Sequence, residues 1–323
     1  MLDRERYFEF RFLRPNFAAR RLMSLPVFDA RKYADANLSP QEAAHLRTVS
    51  LEAGKTFPRR KLLFVFGCMP RSGTNFLFEM LLCHPRFARS AIPLDEFGVL
   101  ASPEAFDAPR NTIGRLHPPS AAAFARMEWM AFALAGFRNR LLSLAADDTV
   151  TVIKEPHAYH IELLPVLFQQ DRCIVLLRNA RYIVDSYFRT FVRRRFGRSF
   201  EEVCMETAAA LTKVLDFLEA APPGYAHMVR YEDAALHRAR VMGEILCWMG
   251  EDVREEDMAA LGRIPVLGSS THSRGADGQV QWTPQVPGTD FDPTCRPLDW
   301  SRSQELTFER VCAAVNRRAG YGP

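Results

Sequence analysis

Residues 67–74, GCMPRSGT, combine small residues with one cation, Arg71. They follow an apolar run at residues 62–66, typical of a buried β-strand, and precede a helical pattern at residues 76–82. A loop between a strand and a helix directs its N–H groups and the helix N-terminus at one point, which favours a bound anion. Glycine lets the backbone approach that anion closely. The segment therefore predicts a phosphate-binding loop.

This loop differs from the phosphate loop of nucleoside triphosphatases. That motif is G-x-x-x-x-G-K-[ST], in which a lysine contacts the terminal phosphates. Here five residues separate Gly67 from Gly73, no lysine follows Gly73, and the cation lies inside the loop. The pattern thus favours a different phosphate-like ligand over a magnesium nucleoside triphosphate.

The loop sequence resembles that of a known family. PRSGTN at residues 70–75 is similar to the 5′-phosphosulfate loop of sulfotransferases, commonly P-[KR]-S-G-T-T. These enzymes use 3′-phosphoadenosine 5′-phosphosulfate (PAPS) and release adenosine 3′,5′-bisphosphate. The resemblance implies cofactor contacts from Arg71, Ser72, Gly73, Thr74 and Asn75, of which Asn75 stands where threonine is frequent.

A second segment, CIVLLRNARYIVDS at residues 173–186, extends the resemblance. Sulfotransferases have a strand followed by R-[DN]-x-R-x-x-x-x-S, in which the arginine and the serine hold the 3′-phosphate. Arg178 and Ser186 match this motif in type and spacing, and Asn179 replaces a frequent aspartate. These residue types suit phosphate binding, because the guanidinium of arginine can donate two parallel hydrogen bonds to phosphate and the hydroxyl of serine adds a neutral donor. Two such motifs in one chain favour the resemblance over coincidence.

Three further residues have roles only through this resemblance. KEP at residues 154–156 is similar to the K-[DE]-P segment of tyrosylprotein and related sulfotransferases, in which the lysine contacts the transferring group. Lys154 would then act with Arg71 to stabilise charge on the leaving phosphate. Tyr231 matches a V-x-Y-E-D segment near the adenine, and Arg274 would reach the 3′-phosphate from a late loop. A core tyrosine and an ordinary surface loop remain the alternatives.

Sulfuryl transfer to a hydroxyl needs a general base. Carbohydrate-type and tyrosylprotein-type sulfotransferases place a glutamate downstream of the loop helix, after an H-P turn similar to His84-Pro85, so Glu96 is the first choice. Asp95 is its close rival. His157 is a third candidate, because aryl and alcohol sulfotransferases use histidine. The sequence leaves the choice open.

Strands and helices alternate along the chain. The predicted strands lie at residues 62–66, 149–153, 172–177 and 225–231, and residues 87–94 form a strand or a loop. The predicted helices lie at residues 40–53, 76–82, 120–144, 159–169, 179–195, 199–220, 234–249 and 303–319, with Ser39 and Ser199 as N-caps. Residues 103–119 and 267–288 are predicted to be irregular.

This alternation predicts an α/β fold, a three-layer sandwich with a central parallel sheet. The resemblance implies the P-loop NTPase-like sulfotransferase fold. With 323 residues, 48% of them hydrophobic, the chain can bury the core of one large domain or two small ones. We predict a sulfotransferase domain over residues 61–323, on which an N-terminal arm and helix, residues 1–60, are packed.

The composition indicates the type of ligand, the cellular compartment and whether a metal is expected. A net charge of +4 suits an anionic nucleotide but is well short of a nucleic-acid-binding extreme. Seven scattered cysteines without a C-x-x-C pair predict free thiols in a reducing compartment. The sequence shows no apolar run approaching 18 residues, no signal-peptide core and no metal-ligand cluster. These features predict a soluble cytoplasmic protein without a metal.

Phenylalanines alternate with arginines near the N-terminus, at residues 8–21. This arm suits either peripheral contact with a membrane or an acidic partner, or packing on the main domain, which we favour. The chain as a whole is predicted to be a PAPS-dependent sulfotransferase that acts on a small-molecule or glycan hydroxyl (a saccharide, glycolipid or natural product, less readily a tyrosine). The alternatives are a P-loop kinase or ATPase, and a non-catalytic nucleotide-binding protein that docks on membranes. The sequence leaves the oligomeric state open.

Overall fold

A computed structural model describes residues 33–92, 96–192, 198–254 and 297–322. It also describes Met258, Leu261, residues 273–274 and 280–281, Asp292 and Cys295. Four predictions lie outside these residues: the arm at residues 1–32, Asp95 as a base, the basic end of the predicted helix at residues 193–195, and most of the loop at residues 267–288.

The central sheet has five parallel strands in the order β2-β3-β1-β4-β5. The strands are β1 (Lys61–Gly67), β2 (Phe87–Arg89), β3 (Val150–Glu155), β4 (Arg172–Leu177) and β5 (Ala226–Arg230). In the centre, Leu63 of β1 is paired with Val152 of β3 on one side and Arg172 of β4 on the other. The predicted α/β fold with a central parallel sheet is confirmed.

Helices cover both faces of this sheet. Before β4 they are α1 (Pro40–Ala53), α2 (Thr74–Leu82), α3 (Ala108–Leu116), α4 (Pro118–Ala122), α5 (Glu128–Leu144) and α6 (Leu164–Leu167). After β4 they are α7 (Ala180–Tyr187), α8 (Phe200–Ala220), α9 (Tyr231–Leu236), α10 (Arg238–Met249), α11 (Arg302–Val311) and α12 (Ala313–Arg318).

The strand residues alternate between two apolar layers. Phe64 and Phe66 of β1 pack with the core that includes α1, α5, α8 and α11, whereas Leu63 and Val65 pack with α2 and α10. Successive side chains of a strand point to opposite faces, so a strand covered on both sides is apolar throughout. This double burial explains the continuous apolar run and the three layers.

The two predicted serine caps are present. Ser39 Oγ accepts the Glu42 N–H while Glu42 accepts the Ser39 N–H, which is a capping box, and Ser199 begins α8 in the same way. Helix α1 packs on α5, where Asn139 Oδ1 accepts the Lys55 N–H at 2.7 Å. Within the described ranges, no helix is both long and apolar enough to cross a bilayer.

The prediction of an irregular segment at residues 103–119 is wrong. A 3-10 turn, α3 and α4 occupy most of it. Gly114 lies within α3, and a Cβ there would be 3.3 Å from Ala121 Cβ, so the small residue allows the two helices to pack closely. Tertiary contact therefore overrides the weak helix propensity of glycine.

Other predicted helices are shorter or divided. The helix predicted over residues 120–144 is interrupted at Met127, which has φ 61°, and the one over 159–169 is reduced to a 3-10 turn and α6. Helix α7 ends at Tyr187 and continues as a π-helical segment, Phe188–Val192. The helices predicted over residues 234–249 and 303–319 are each divided in two, at His237 and Cys312. Each break is a backbone feature with no strong local signal.

Candidate active site

The loop after β1 is held by its own polar atoms. Ser72 Oγ donates to the Met69 carbonyl at 2.6 Å and accepts the Met69 N–H at 3.3 Å. Arg71 and Gly73 both have positive φ, 87° and 99°. A Cβ at Gly67 would lie 2.9 Å from Thr74 Cγ2 and 3.1 Å from the Pro156 carbonyl, so only glycine fits there. The hydrogen bonds of the Ser72 hydroxyl and the lack of a side chain at Gly67 thus determine the conformation of the loop.

The ring of Tyr231 covers this loop from the side of β5. It lies against the backbone of Gly73, where a Cβ would overlap the ring. The guanidinium carbon of Arg178 is 4.4 Å from the centroid of the same ring, a cation–π distance. Tyr231 therefore joins the two predicted phosphate-binding segments.

Two buried arginines converge at the carboxyl ends of β1 and β4. Arg71 Nε donates to Ser186 Oγ at 2.9 Å, and Arg178 Nη1 donates to the Arg71 carbonyl at 2.9 Å. Each arginine is only 8% exposed. Arg71 Nη2 and Arg178 Nε are buried without an acceptor, and neither guanidinium is paired with a carboxylate within the part of the chain that the structure describes. The site therefore has positive charge and unused donors.

This charge is held at an energetic cost. Burial, reinforced by the nearby charge of Arg178, lowers the pKa of Arg71 to about 9. Arg71 remains protonated at neutral pH, although a buried charge without a counter-ion is unfavourable. Its guanidinium carbon lies 5.7 Å from the ring centroid of Phe191, in the π-helical segment. Short π-helical stretches are frequent at functional sites. An anion bound beside Arg71 would offset the free-energy cost of its buried charge.

The end of β3 brings Lys154 to the same edge of the sheet. Lys154 Nζ donates to Asn75 Oδ1 at 2.5 Å and lies 4.0 Å from Glu96 Oε1. The side chain of Lys154 is 15% exposed, whereas that of Glu96 is 49% exposed. A cation, an amide and an accessible carboxylate are therefore gathered where β3 meets the first turn of α2.

Glu155, the residue after Lys154, organises the surroundings of both remaining base candidates. Its buried carboxylate accepts the Gly98 N–H, close to Glu96, and the His157 N–H at 2.9 Å. Its Oε1 is also 2.9 Å from His157 Nδ1. A carboxylate at Nδ1 holds the proton on that nitrogen and leaves Nε2 as the basic one. Sequence reasoning gave Glu155 no role, although its place beside Lys154 was a usable signal.

The turn after β4 has its backbone donors already occupied. The Asn179 N–H donates to Glu232 Oε1 at 3.0 Å, and the Ala180 N–H donates to Asn316 Oδ1 at 2.9 Å. The Arg181 N–H donates to Asn179 Oδ1 at 3.0 Å. The start of α7 is thus filled by the protein's own side chains, and an anion here must be bound by side chains.

Most of the predicted site residues lie together. The strands β1 and β4 are adjacent in the sheet. After β1 the chain continues toward the β2 edge, and after β4 it continues toward the β5 edge. Open α/β sheets bind ligands at such a switch point. The residues around this crevice are Arg71, Ser72, Gly73, Thr74, Asn75, Arg178, Ser186 and Tyr231, with Lys154 and Glu96 beside them. Arg274 lies in a two-residue strand, Ser273–Arg274, paired with Val280–Gln281, and its side chain is outside what the structure describes.

The family of this chain is defined by a sequence comparison. The model of a family described as "Sulfotransferase family" matches residues 63–255, which is more than half of the chain. The chain therefore belongs to the sulfotransferase family, and its parallel sheet with helices on both faces is the P-loop-like fold of that family. It is an enzyme that transfers sulfuryl groups. The matched region contains both segments predicted to bind phosphate, residues 67–74 and 173–186.

Comparison with curated proteins finds no match. Among solved structures, the chain is similar to the sulfotransferase domain from the curacin biosynthetic pathway, at 15% identity over 81% of this chain and 98% of that one, with a TM-score of 0.49. A sulfotransferase domain of the Synechococcus PCC 7002 olefin synthase gives 15% identity over 84% and 99%, with a TM-score of 0.49. A mouse sulfotransferase complexed with PAP gives 15% over 86% and 91%, with a TM-score of 0.46.

Proposed function

We propose that this sulfotransferase takes its sulfuryl group from PAPS. The observation that carries the proposal is the pair of buried guanidiniums, Arg71 and Arg178, each with a donor that finds no acceptor in the described residues. Arginine pairs strongly with phosphate through parallel N–H donors. One of the two follows β1 and the other follows β4, so each can serve one of the two phosphate positions of PAPS.

The donor's groups fit the residues present. Arg71 and the segment 72–75 would hold the 5′-phosphosulfate end, Arg178 and Ser186 the 3′-phosphate, and Tyr231 the neighbourhood of the adenine. We keep Arg274 as a further ligand of the 3′-phosphate. When bound, PAPS supplies the sulfuryl group, with adenosine 3′,5′-bisphosphate as the leaving group.

The chain's own residues divide the chemistry between them. Glu96 accepts the proton of the acceptor hydroxyl, a role that its accessible carboxylate allows. Lys154 and Arg71 place positive charge where negative charge develops during transfer. His157, oriented by Glu155, is the alternative base. The acceptor is a hydroxyl of a saccharide, glycolipid or natural product.

Calorimetry tests the choice of nucleotide. Adenosine 3′,5′-bisphosphate is expected to bind about tenfold more tightly than ATP with Mg²⁺, because ATP lacks the 3′-phosphate. Tighter binding of ATP with Mg²⁺, accompanied by its hydrolysis or phosphoryl transfer, would instead support a P-loop kinase or ATPase. Binding of the bisphosphate without transfer to any hydroxyl would support a non-catalytic nucleotide-binding protein.

A transfer assay with labelled PAPS over a panel of hydroxyl acceptors tests the base. Glu96→Gln is expected to lower kcat by roughly 10²- to 10⁴-fold, the usual contribution of a general base. Glu79→Gln, an α2 residue paired with Arg89 at the surface, serves as the matched control. Full activity of Glu96→Gln, with loss in Asp95→Asn or His157→Ala, would move the role to that residue.

We propose a cytoplasmic location and a single sulfotransferase domain over residues 61–323. All seven cysteines lie in the described part of the chain and are free thiols, which suits a reducing compartment. The packing of α1 on α5 supports the N-terminal segment, residues 1–60, as an addition to that domain. Peripheral contact with a membrane is a proposed function of the aromatic and basic arm at residues 8–21.

A further inference from the structure

The C-terminal helix reaches the turn that carries Arg178. Asn316 of α12 is 2% exposed, and its Oδ1 accepts the Ala180 N–H at 2.9 Å across 136 residues of sequence. Neither α12 nor the residues after it fall within the family match at residues 63–255. Buried polar side chains are normally hydrogen-bonded, and this one accepts from the residue two positions after Arg178.

A second path leads from the C-terminus to the same turn. The Tyr321 O–H donates to Glu232 Oε2 at 2.9 Å, and Glu232 Oε1 accepts the Asn179 N–H at 3.0 Å. Burial and the nearby charge of Glu232 raise the pKa of Tyr321, so its hydroxyl stays a donor. Its ring lies 4.8 Å from the guanidinium carbon of Arg230, and its N–H donates to the Asn316 carbonyl at 3.0 Å. The two paths therefore support each other.

These contacts fix the backbone on which Arg178 stands. The Asn179 and Ala180 N–H groups directly follow Arg178, so their acceptors determine the direction in which its side chain leaves the strand. They also occupy the donors at the start of α7, which leaves the binding of an anion to the guanidinium. A buried guanidinium binds tightly only when its direction is set beforehand, because reorientation costs free energy.

We propose that Asn316, Tyr321 and Glu232 are positioning residues that orient Arg178 toward the 3′-phosphate of the nucleotide. This rests on the proposed function, since it takes PAPS as the donor. The C-terminal residues 316–321 then contribute to the selection of a 3′-phosphorylated nucleotide without touching it.

The test compares two ligands in calorimetry, adenosine 3′,5′-bisphosphate and adenosine 5′-monophosphate, which lacks the 3′-phosphate. Asn316→Leu removes the acceptor at nearly constant volume, and Tyr321→Phe removes only the hydroxyl. Arg318 lies on α12 with Asn316 and forms surface ion pairs with Asp216 and Glu219 of α8, so Arg318→Ala is the matched control. Thermal unfolding is recorded for every variant.

The expected result is a loss confined to one ligand. Asn316→Leu raises the Kd of the bisphosphate about tenfold and Tyr321→Phe about threefold, while the Kd of the monophosphate stays within about twofold. Arg318→Ala changes neither. Equal losses for both ligands, or no loss for the bisphosphate, would overturn the positioning role. Should Asn316→Leu not fold, Tyr321→Phe decides alone. A wild-type protein that binds the two ligands equally would instead overturn the proposed donor.

Discussion

Among the residues that the structure describes, buried arginines form two sites, which differ in how their charge is balanced. Arg138 of α5 is buried against Asp171, with Nε 2.6 Å from Oδ2 and Nη2 3.0 Å from Oδ1. Asp171 also accepts the Leu62 N–H at 3.0 Å, so the pair ties α5 to β1. Arg71 and Arg178 are buried to a similar extent, but no carboxylate among the described residues is paired with either guanidinium.

We interpret the difference as a structural use of arginine at Arg138 and, on the proposed function, a binding use at Arg71 and Arg178. The charge of Arg138 is balanced inside the protein, so its loss would leave Asp171 buried alone. Burial, and after it the like charge of Arg178, lowers the pKa of Arg71, so the charged form of Arg71 is unfavourable in the protein. Such a site destabilises the empty protein and is retained where a ligand needs it. On the proposed function, the anion that completes this site is the nucleotide donor.

The largest effect is expected at the balanced site. Arg138→Met should lower the free energy of unfolding by about 3–5 kcal/mol, since it leaves an uncompensated buried carboxylate. Chemical denaturation measures this, with Arg140→Met, an exposed neighbour on α5, as the control. A change below about 1 kcal/mol would remove the distinction between the two sites.

The next effect concerns ligand binding. Arg178→Ala should weaken binding of adenosine 3′,5′-bisphosphate about 100-fold, equivalent to about 2.7 kcal/mol, because a charge-assisted contact is lost. The unfolding temperature of the ligand-free variant should not fall. A matching loss of stability, as at Arg138, would mean that Arg178 is structural too.

A smaller effect of opposite sign is expected for Arg71→Met. The variant should be more stable than the wild type by about 1–2 kcal/mol while losing transfer activity, because the buried charge disappears. The lowered pKa of Arg71 has the sign of a charge that costs stability while it is present. Denaturation at pH 7, where Arg71 is charged, measures the gain, and a less stable variant would show that the charge is not unfavourable.

The smallest effect is expected for Tyr231→Leu. The guanidinium of Arg178 would lose a cation–π contact worth about 0.5–1 kcal/mol, so affinity for the bisphosphate should fall by about twofold to fivefold. Tyr231→Phe keeps the ring and should bind as the wild type does. Equal losses in both variants would point to the hydroxyl instead.

The sequence predicts those parts of the site whose signal is local. The loop at residues 67–74 and Arg178 directly follow strands, and Ser186 lies on α7 in the same short motif as Arg178, so residue type and spacing were enough to predict that they come together. The structure brings these residues together, and their contacts with the cofactor stay a prediction. The hydroxyl of Ser72, which that prediction includes, contacts the Met69 backbone and Cys68 Sγ.

Contacts between distant residues could not be predicted in this way. A single sequence holds no sign that Asn316 meets Ala180, or that Glu155 joins Gly98 to His157, because those pairs form only when the elements pack. Local composition also misled at residues 103–119, where proline and glycine suggested a loop and helix packing prevailed.

The most direct test of the central claim is the preference for the 3′-phosphate, measured by titration calorimetry. The wild type and an Arg178→Ala, Ser186→Ala double variant are each titrated with adenosine 3′,5′-bisphosphate and with adenosine 5′-monophosphate. Binding of the 3′-phosphate by Arg178 and Ser186 predicts that the wild type prefers the bisphosphate by about 100-fold. The double variant should lose this preference and keep its affinity for the monophosphate. A preference that survives in the double variant, or is absent from the wild type, would contradict the account.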